Sequence, residues 1–480
     1  MVKKWMTYLF VLMSTINLSA QDSTFVLGYA PQFVGEKVTM YTYSDYITLT
    51  KVAIGESIVG ADSLFKIQNR TKTTIKVLIE ISKTEAELYL SPNTNYQIEY
   101  YKPKDAPISF ANQKVEALFY GLDSTDINYR VLQYNQWLDK YIYYNRYNIK
   151  KYGFSPYLDT FKIYAYDTYK DLKAPYFINY VRYHIATMER TKDSSKNKKA
   201  KANTYLEYIH PYPVYSNHDQ YMKFVKSFYP KDFEAFLPQI KASIYLALDD
   251  KSPTKLMKAL KKDPILQIEE LRELMMVNML GNSYYKRGYD RSSIVTILDS
   301  VSRFSNYKPN ARTAHNMLTY LTKLENGYPA PELNMTNSSG DVVNWGTFKG
   351  KFVYVNFFAS WNQTSVTEIK LIKALKTKYN NEIAFVSFNM DKTVEDYNRF
   401  MEQNNDIDWD VFYLGESHDL IDQFNVKSIP QYFLIDQEGF IALAPAKRPS
   451  PNGEYESIDK TFHYIQTELR RQLPSNRGGR

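Results

Sequence analysis

The sequence predicts a multidomain α+β protein: an N-terminal β-sandwich, an all-helical middle region and a C-terminal α/β domain. Three observations lead there. At 480 residues the chain is longer than one ordinary core supports. Residues 25–102 hold short runs of β-branched and aromatic residues punctuated by Gly, Pro, Asn and Asp. Beyond residue 106 the apolar spacing turns helical, and from about 326 strand-like and helix-like stretches alternate. The expected boundaries are 21–105 for the sandwich, 106–325 for the helices and 326–472 for the α/β domain, with 473–480 a disordered tail.

Residues 1–20 read as a secretory signal. Lys3 and Lys4 precede the apolar stretch Trp5–Leu18, and Ser19-Ala20 supply small residues for cleavage. Polar Ser14, Thr15 and Asn17 argue against an uncleaved anchor, and no later segment has the length to span a bilayer. The expected location is exported, either periplasmic or outer-membrane-associated. The chain has no cysteine, which excludes disulfides, thiolate catalysis, zinc–thiolate sites, iron–sulfur clusters and a lipoprotein-type lipid anchor. Hydrophobic content of 44% and charged content of 23% fit a folded protein. The net charge of +8 is concentrated only at Lys196–Lys201, read as a surface loop between two helices; without a reading motif, nucleic acid is not an expected partner.

In the first module, Val38–Tyr43, Thr74–Ile79 and Glu87–Leu90 are the clearest strands. In the second, Val131, Tyr134, Trp137, Leu138 and Tyr141 recur at helical spacing, as do Ile294, Leu298 and Val301. Prolines at 156, 175, 211, 230, 253 and 264 fall between helices as terminators or first-turn residues, giving eight to eleven helices. In the third, Lys351–Phe358 is a nearly continuous apolar strand suited to burial on both faces. Ile383–Met390 and Val411–Leu414 are similar, with helices expected near 363–379, 393–404, 417–425 and 455–471.

The last third also carries a motif. Pro329-Ala330-Pro331 is followed by Gly340, Lys349-Gly350-Lys351 and Val355-Asn356-Phe357-Phe358-Ala359-Ser360-Trp361. Then comes Ser428-Ile429-Pro430-Gln431-Tyr432-Phe433-Leu434-Ile435-Asp436, with Gly439 behind it. In order and spacing these segments resemble thioredoxin-fold proteins of the TlpA/ResA type. That pattern opens with Pro-Ala-Pro, reaches Phe-Trp-Ala-Ser-Trp-Cys-x-x-Cys-x-x-Glu, and continues to Ile-Pro before a strand ending in Asp and Gly. The resemblance implies a thioredoxin-like fold for residues 326–472. The segment from Gly28-Tyr29-Ala30-Pro31 to Ser91–Tyr96 resembles the N-terminal sandwich of Bacteroidetes proteins that carry such a domain at the other end.

This chain departs from the pattern at its chemical centre. The two cysteine positions hold Asn362 and Ser365, with Gln363 and Thr364 between them. A cysteine at a helix N-terminus is activated because the dipole and free N–H groups lower its thiol pKa. An amide forms neither thiolate nor disulfide. Asn is a good N-cap, so the altered motif suits keeping the helix while abolishing the chemistry. Ser365 would need a neighbouring base to act as a nucleophile, and the local sequence offers none. Pro430 matches the family's cis-proline, which faces the motif. Trp361, Ile429 and Pro430 beside Asn362 are therefore candidates for docking an extended peptide, or for preserving the fold alone. Glu368 matches the family's acidic residue and reads as a solvated helix position; Ile369 replaces the family's proline.

Other chemistry is sparse. The six histidines are scattered, and only His210, His218 and Asp219 cluster, with a spacing that fits no metal site; they read as ordinary surface residues. No metal and no cofactor is expected. Tyr141, Tyr143, Tyr144, Tyr147 and Tyr152 cover more than one helix face and read either as a protein or glycan contact or as packing. The resulting expectation is a redox-inactive thioredoxin-like protein acting as a protein-binding or scaffold subunit in the cell envelope. Its partners would be other envelope proteins, including an outer-membrane complex. The alternatives are an enzyme with a non-redox site between the helical and thioredoxin-like domains, and a periplasmic holdase.

Overall fold

The computed structural model describes residues 23–82, 84–100, 113–190, 198–415, 419–451 and 457–472. The expected signal peptide and the expected disordered tail lie outside these residues. The chain divides into two compact units, Met1–Leu318 and Thr319–Arg480.

The first unit opens with nine strands. These are β1 (Thr24–Tyr29), β2 (Lys37–Tyr43), β3 (Lys51–Ile58), β4 (Leu64–Asn69), β5 (Ile75–Ile81), β6 (Thr84–Leu90), β7 (Asn95–Glu99), β8 (Gln113–Val115) and β9 (Leu118–Tyr120). They form two sheets, β4-β1-β7-β9 and β3-β2-β5-β6-β8. Alternate residues of β1 are buried, as a strand packed on one face requires. Gly28 sits opposite Phe65 of β4, and a Cβ there would stand 2.0 Å from the Phe65 ring; the missing side chain makes room for that ring. Val26, Phe65 and Ile67 from one sheet meet Met40, Val77, Ile79 and Leu88 from the other in a single core. β8 and β9 lie beyond residue 105, in a stretch expected to be helical. At three residues each they are too short for alternation to register in the sequence.

Ten helices follow among the described residues: α1 (Ile127–Tyr152), α2 (Ser155–Tyr169), α3 (Pro175–Arg190), α4 (Lys198–Tyr208), α5 (Asp219–Phe228), α6 (Pro238–Asp249), α7 (Pro253–Leu260), α8 (Glu269–Ser283), α9 (Arg291–Phe304) and α10 (Lys308–Thr322). Asp126 caps α1 by accepting from the Asn128 N–H, and Gly153 ends it with φ 86°, a backbone that suits glycine. Prolines open α2, α6 and α7 in the first turn, where no N–H is needed. The described part of the basic run, Lys198–Lys201, opens α4 instead of lying in a loop; Lys and Ala are strong helix formers, and their propensity outweighed the charge run.

His184 of α3 is enclosed by the rings of Tyr134 and Tyr180, with centroids 5.6 and 5.8 Å away. Its Nδ1 is buried without a hydrogen-bond partner. Burial, reinforced by the Lys223 charge, pushes its pKa down to about 4. His184 is thus neutral when folded and takes up a proton on unfolding below its ordinary pKa of about 6.5. Its contribution is intact above that pH and is lost as pH falls toward 4. By pH 4.5 the cost should reach about 2–3 kcal/mol. Thermal melts of the wild type and His184→Phe should therefore diverge progressively below pH 6.5, with the variant showing the flatter profile.

The second unit contains a small hairpin, β10 (Met335–Thr336) and β11 (Val342–Val343), and a five-stranded sheet. The sheet comprises β12 (Phe352–Phe358), β13 (Ile383–Asn389), β14 (Asp410–Tyr413), β15 (Gln431–Ile435) and β16 (Ile441–Leu443), in the order β14-β13-β12-β15-β16. β12, β13 and β14 run parallel; β15 and β16 are antiparallel additions. Helices α11 (Gln363–Tyr379), α12 (Val394–Gln403), α13 (Asp419–Gln423) and α14 (Ile458–Gln472) cover it. Along β12, Val353, Val355 and Phe357 enter the core that includes Leu420, Ile421 and Phe424. Tyr354 and Phe358 enter the opposite core with Ile369 and Ile372 of α11 and Phe462 of α14. Burial on both faces explains the unbroken apolar run of this strand.

Candidate functional site

The site lies where β12 ends and α11 begins. β15 pairs with β12 through Gln431 opposite Phe357, which brings Pro430 to the end of β12. The Ile429–Pro430 peptide bond is cis. The turn between strand and helix is held by the Ser360 N–H donating to Asp391 Oδ1 at 2.8 Å and the Asn362 N–H donating to the Ala359 carbonyl at 3.1 Å.

Asn362 is the N-cap of α11. Its Oδ1 accepts from the Ser365 N–H at 2.9 Å, satisfying one of the free donors of the first turn. Its Nδ2 donates to the Ile429 carbonyl at 3.4 Å, so one side chain ties the altered motif to the cis-proline loop. Trp361 is 56% exposed, and Gln363 and Thr364 are exposed in the first helical turn. Ser365 is 1% exposed and its Oγ has no hydrogen-bond partner. The structure thus joins Asn362 to Ile429 directly and leaves Trp361 open beside them. None of the four residues in the altered motif offers a group that titrates near neutrality, and no base contacts the Ser365 hydroxyl.

Glu368 corrects its sequence reading as a solvated residue. It is 2% exposed, on the sheet-facing stripe of α11 with Ser365, Ile369 and Ile372. One carboxylate oxygen accepts from the Tyr432 hydroxyl at 2.5 Å. The other accepts from Arg448 Nε at 2.8 Å and from the Ser450 hydroxyl, and Arg448 Nη2 stands 2.8 Å away. Burial, followed by this bond and charge, pushes the Tyr432 phenol up, keeping it a donor. Tyr432 stacks on Tyr354 at 5.3 Å. With its oxygens engaged in this way, Glu368 supplies no base to Ser365.

His218 and Asp219 also correct their reading as surface residues. Both are buried. His218 Nδ1 accepts the Tyr221 N–H at the start of α5, so Nε2 carries the proton and donates to the Tyr176 carbonyl at 3.0 Å. Its ring stacks on Tyr176 at 4.1 Å. Asp219 accepts from Tyr89 of β6 at 2.8 Å and from Tyr176 of α3 at 3.2 Å, with Lys76 Nζ 3.7 Å away. Burial and then the Asp219 charge push both phenols up. This cluster fastens sandwich to helices; the flanking Pro211 and Pro213 made it look like an open loop. Among the described residues no group of three or more His, Cys, Asp or Glu could hold a metal ion. No helix there is long and apolar enough to cross a membrane.

A thioredoxin-like family model matches residues 350–441. The thiol-disulfide oxidoreductase ResA of Bacillus thuringiensis subsp. konkukian is 28% identical over 118 residues, covering 24% of this chain and 67% of the relative. The thioredoxin-like protein YneN of Bacillus subtilis is 24% identical over 118 residues, covering 25% and 69%. Among solved structures, the thioredoxin domain of a Bacteroides vulgatus thiol-disulfide oxidoreductase matches with 20% identity and a TM-score of 0.26, over 30% of this chain and 99% of that one. Residues 350–441 of this chain form a thioredoxin-like domain, and the chain that carries it has no cysteine.

Proposed function

We propose that this chain is an exported, redox-inactive thioredoxin-like protein whose C-terminal domain serves as a protein-binding or scaffold subunit in the cell envelope. The observation that carries the reading is the state of the altered motif. Asn362 caps α11 and reaches the Ile429 carbonyl, so the platform around the cis peptide is kept while every thiol is gone. Trp361 stands 56% exposed on that platform, and exposed tryptophans are strong anchors in protein interfaces. A fold retained without its reacting groups fits a role in which function resides in contact, not turnover. The signal-like first twenty residues support placement in the periplasm or at the outer membrane.

The full chain, recovered through a C-terminal tag in mild detergent, should bring down a stoichiometric envelope protein. Trp361→Ala should weaken that capture by at least about tenfold. The purified protein should not reduce insulin disulfides above a buffer blank. Recovery as a lone monomer would overturn the scaffold reading, and disulfide turnover would overturn the redox-inactive one. Suppression of aggregation of unrelated unfolded chains, with no fixed companion, would replace the scaffold reading with a holdase.

A further inference from the structure

The two halves of α1 are built differently. Tyr134 and Leu138 are buried among α2 and α3, but from residue 140 to the helix end no residue is buried. Tyr143, Tyr144, Tyr147 and Tyr152 are 60%, 76%, 73% and 61% exposed. Lys140, Arg146, Lys150 and Lys151 share this surface, and no Asp or Glu falls between 140 and 152. At 3.6 residues per turn, these four cations and the first three of the rings lie within an arc of about 160°. The Arg146 guanidinium lies over Tyr143 at 4.2 Å and Tyr147 at 4.6 Å, and the Lys151 ammonium over Tyr152 at 4.8 Å. Rings and charges are thus braced against one another while facing outward.

We propose that this end of α1 docks on an anionic lipid surface. Tyrosine has an apolar ring and a polar tip, and it concentrates at the level of lipid headgroups. Lysine and arginine there lay apolar stems on the surface and reach phosphates with their charged ends. Each cation near an anionic leaflet adds to the attraction, and this face holds four against one exposed acid, Asp139, at its inner end. The exposure of the rings selects the occupant. Rings more than half open have no facing wall, so they form no groove to grip an extended acidic peptide; a plane needs no groove.

The test is co-sedimentation of the full chain with vesicles of phosphatidylcholine alone or with one-third phosphatidylglycerol. Binding should favour the anionic vesicles by at least about tenfold at low salt. It should fall away at molar salt, where the screening length shrinks to about 3 Å. Arg146→Gln/Lys150→Gln/Lys151→Gln and Tyr143→Ser/Tyr144→Ser/Tyr147→Ser should each reduce binding about tenfold with unchanged melting, since the altered side chains are exposed. Failure to bind anionic vesicles overturns the proposal, as does binding at the wild-type level by both triple variants. Capture by polyglutamate with vesicles ignored also overturns it and assigns the face to an acidic polypeptide.

Discussion

Glu368→Ala should destabilise the thioredoxin-like unit by about 3–4 kcal/mol. The change leaves the Tyr432 phenol, 1% exposed, without the acceptor it now bonds at 2.5 Å. It also leaves Arg448 without its carboxylate. The Arg448 side chain is 35% exposed, so water recovers part of its solvation and the charge contribution is smaller than for a fully enclosed pair. Glu368→Gln keeps an acceptor for Tyr432 and should cost only about 1–2 kcal/mol. Urea unfolding followed by tryptophan fluorescence checks this, because Trp345, Trp361 and Trp409 all lie in the second unit. A loss below about 1 kcal/mol for the alanine variant would show that the network contributes little. A double-mutant cycle with Tyr432→Phe would isolate the phenol–carboxylate share.

Asp219→Ala should act as strongly in the other unit, again by about 3–4 kcal/mol. The carboxylate is buried, takes two phenolic hydrogen bonds and has Lys76 near it. Its removal strands Tyr89 on the sandwich and Tyr176 on the helices together, at the seam where β6 meets the bundle. Asp219→Asn retains one acceptor and should cost about half as much. Trp137 is the reporter, being the described tryptophan of the first unit. The expected result is an earlier Trp137 transition. An unmoved Trp137 transition would show that the cluster contributes little.

What the sequence revealed follows from the range of the interactions involved. The Asn362 cap spans three residues, so the chemistry of one side chain and a helix start was enough to anticipate it. The β12 strand showed itself because a strand buried on both faces has no polar alternation to hide it. Glu368 was misread because its partners Arg448 and Ser450 stand 80 and 82 residues further on, and a glutamate on an amphipathic helix defaults to solvent. The His218–Asp219 pair failed for the same reason, since Tyr89 lies 130 residues before Asp219. The tyrosine stretch of α1 held two populations that composition alone does not separate. Tyr141 packs on Phe161 at 5.2 Å and donates to the Tyr157 carbonyl, while its neighbours face outward.

The amide at position 362 has one more consequence. A thiol in that place would carry a proton to lose and a sulfur to oxidise, so the start of α11 would change with its medium. Asn362 has neither. The cap, the bond to the Ile429 carbonyl and the open indole beside them keep a single chemical state in reducing and oxidising surroundings alike. That turn is therefore a fixture, not a switch: no thiol there would make a contact on it follow the redox poise around it.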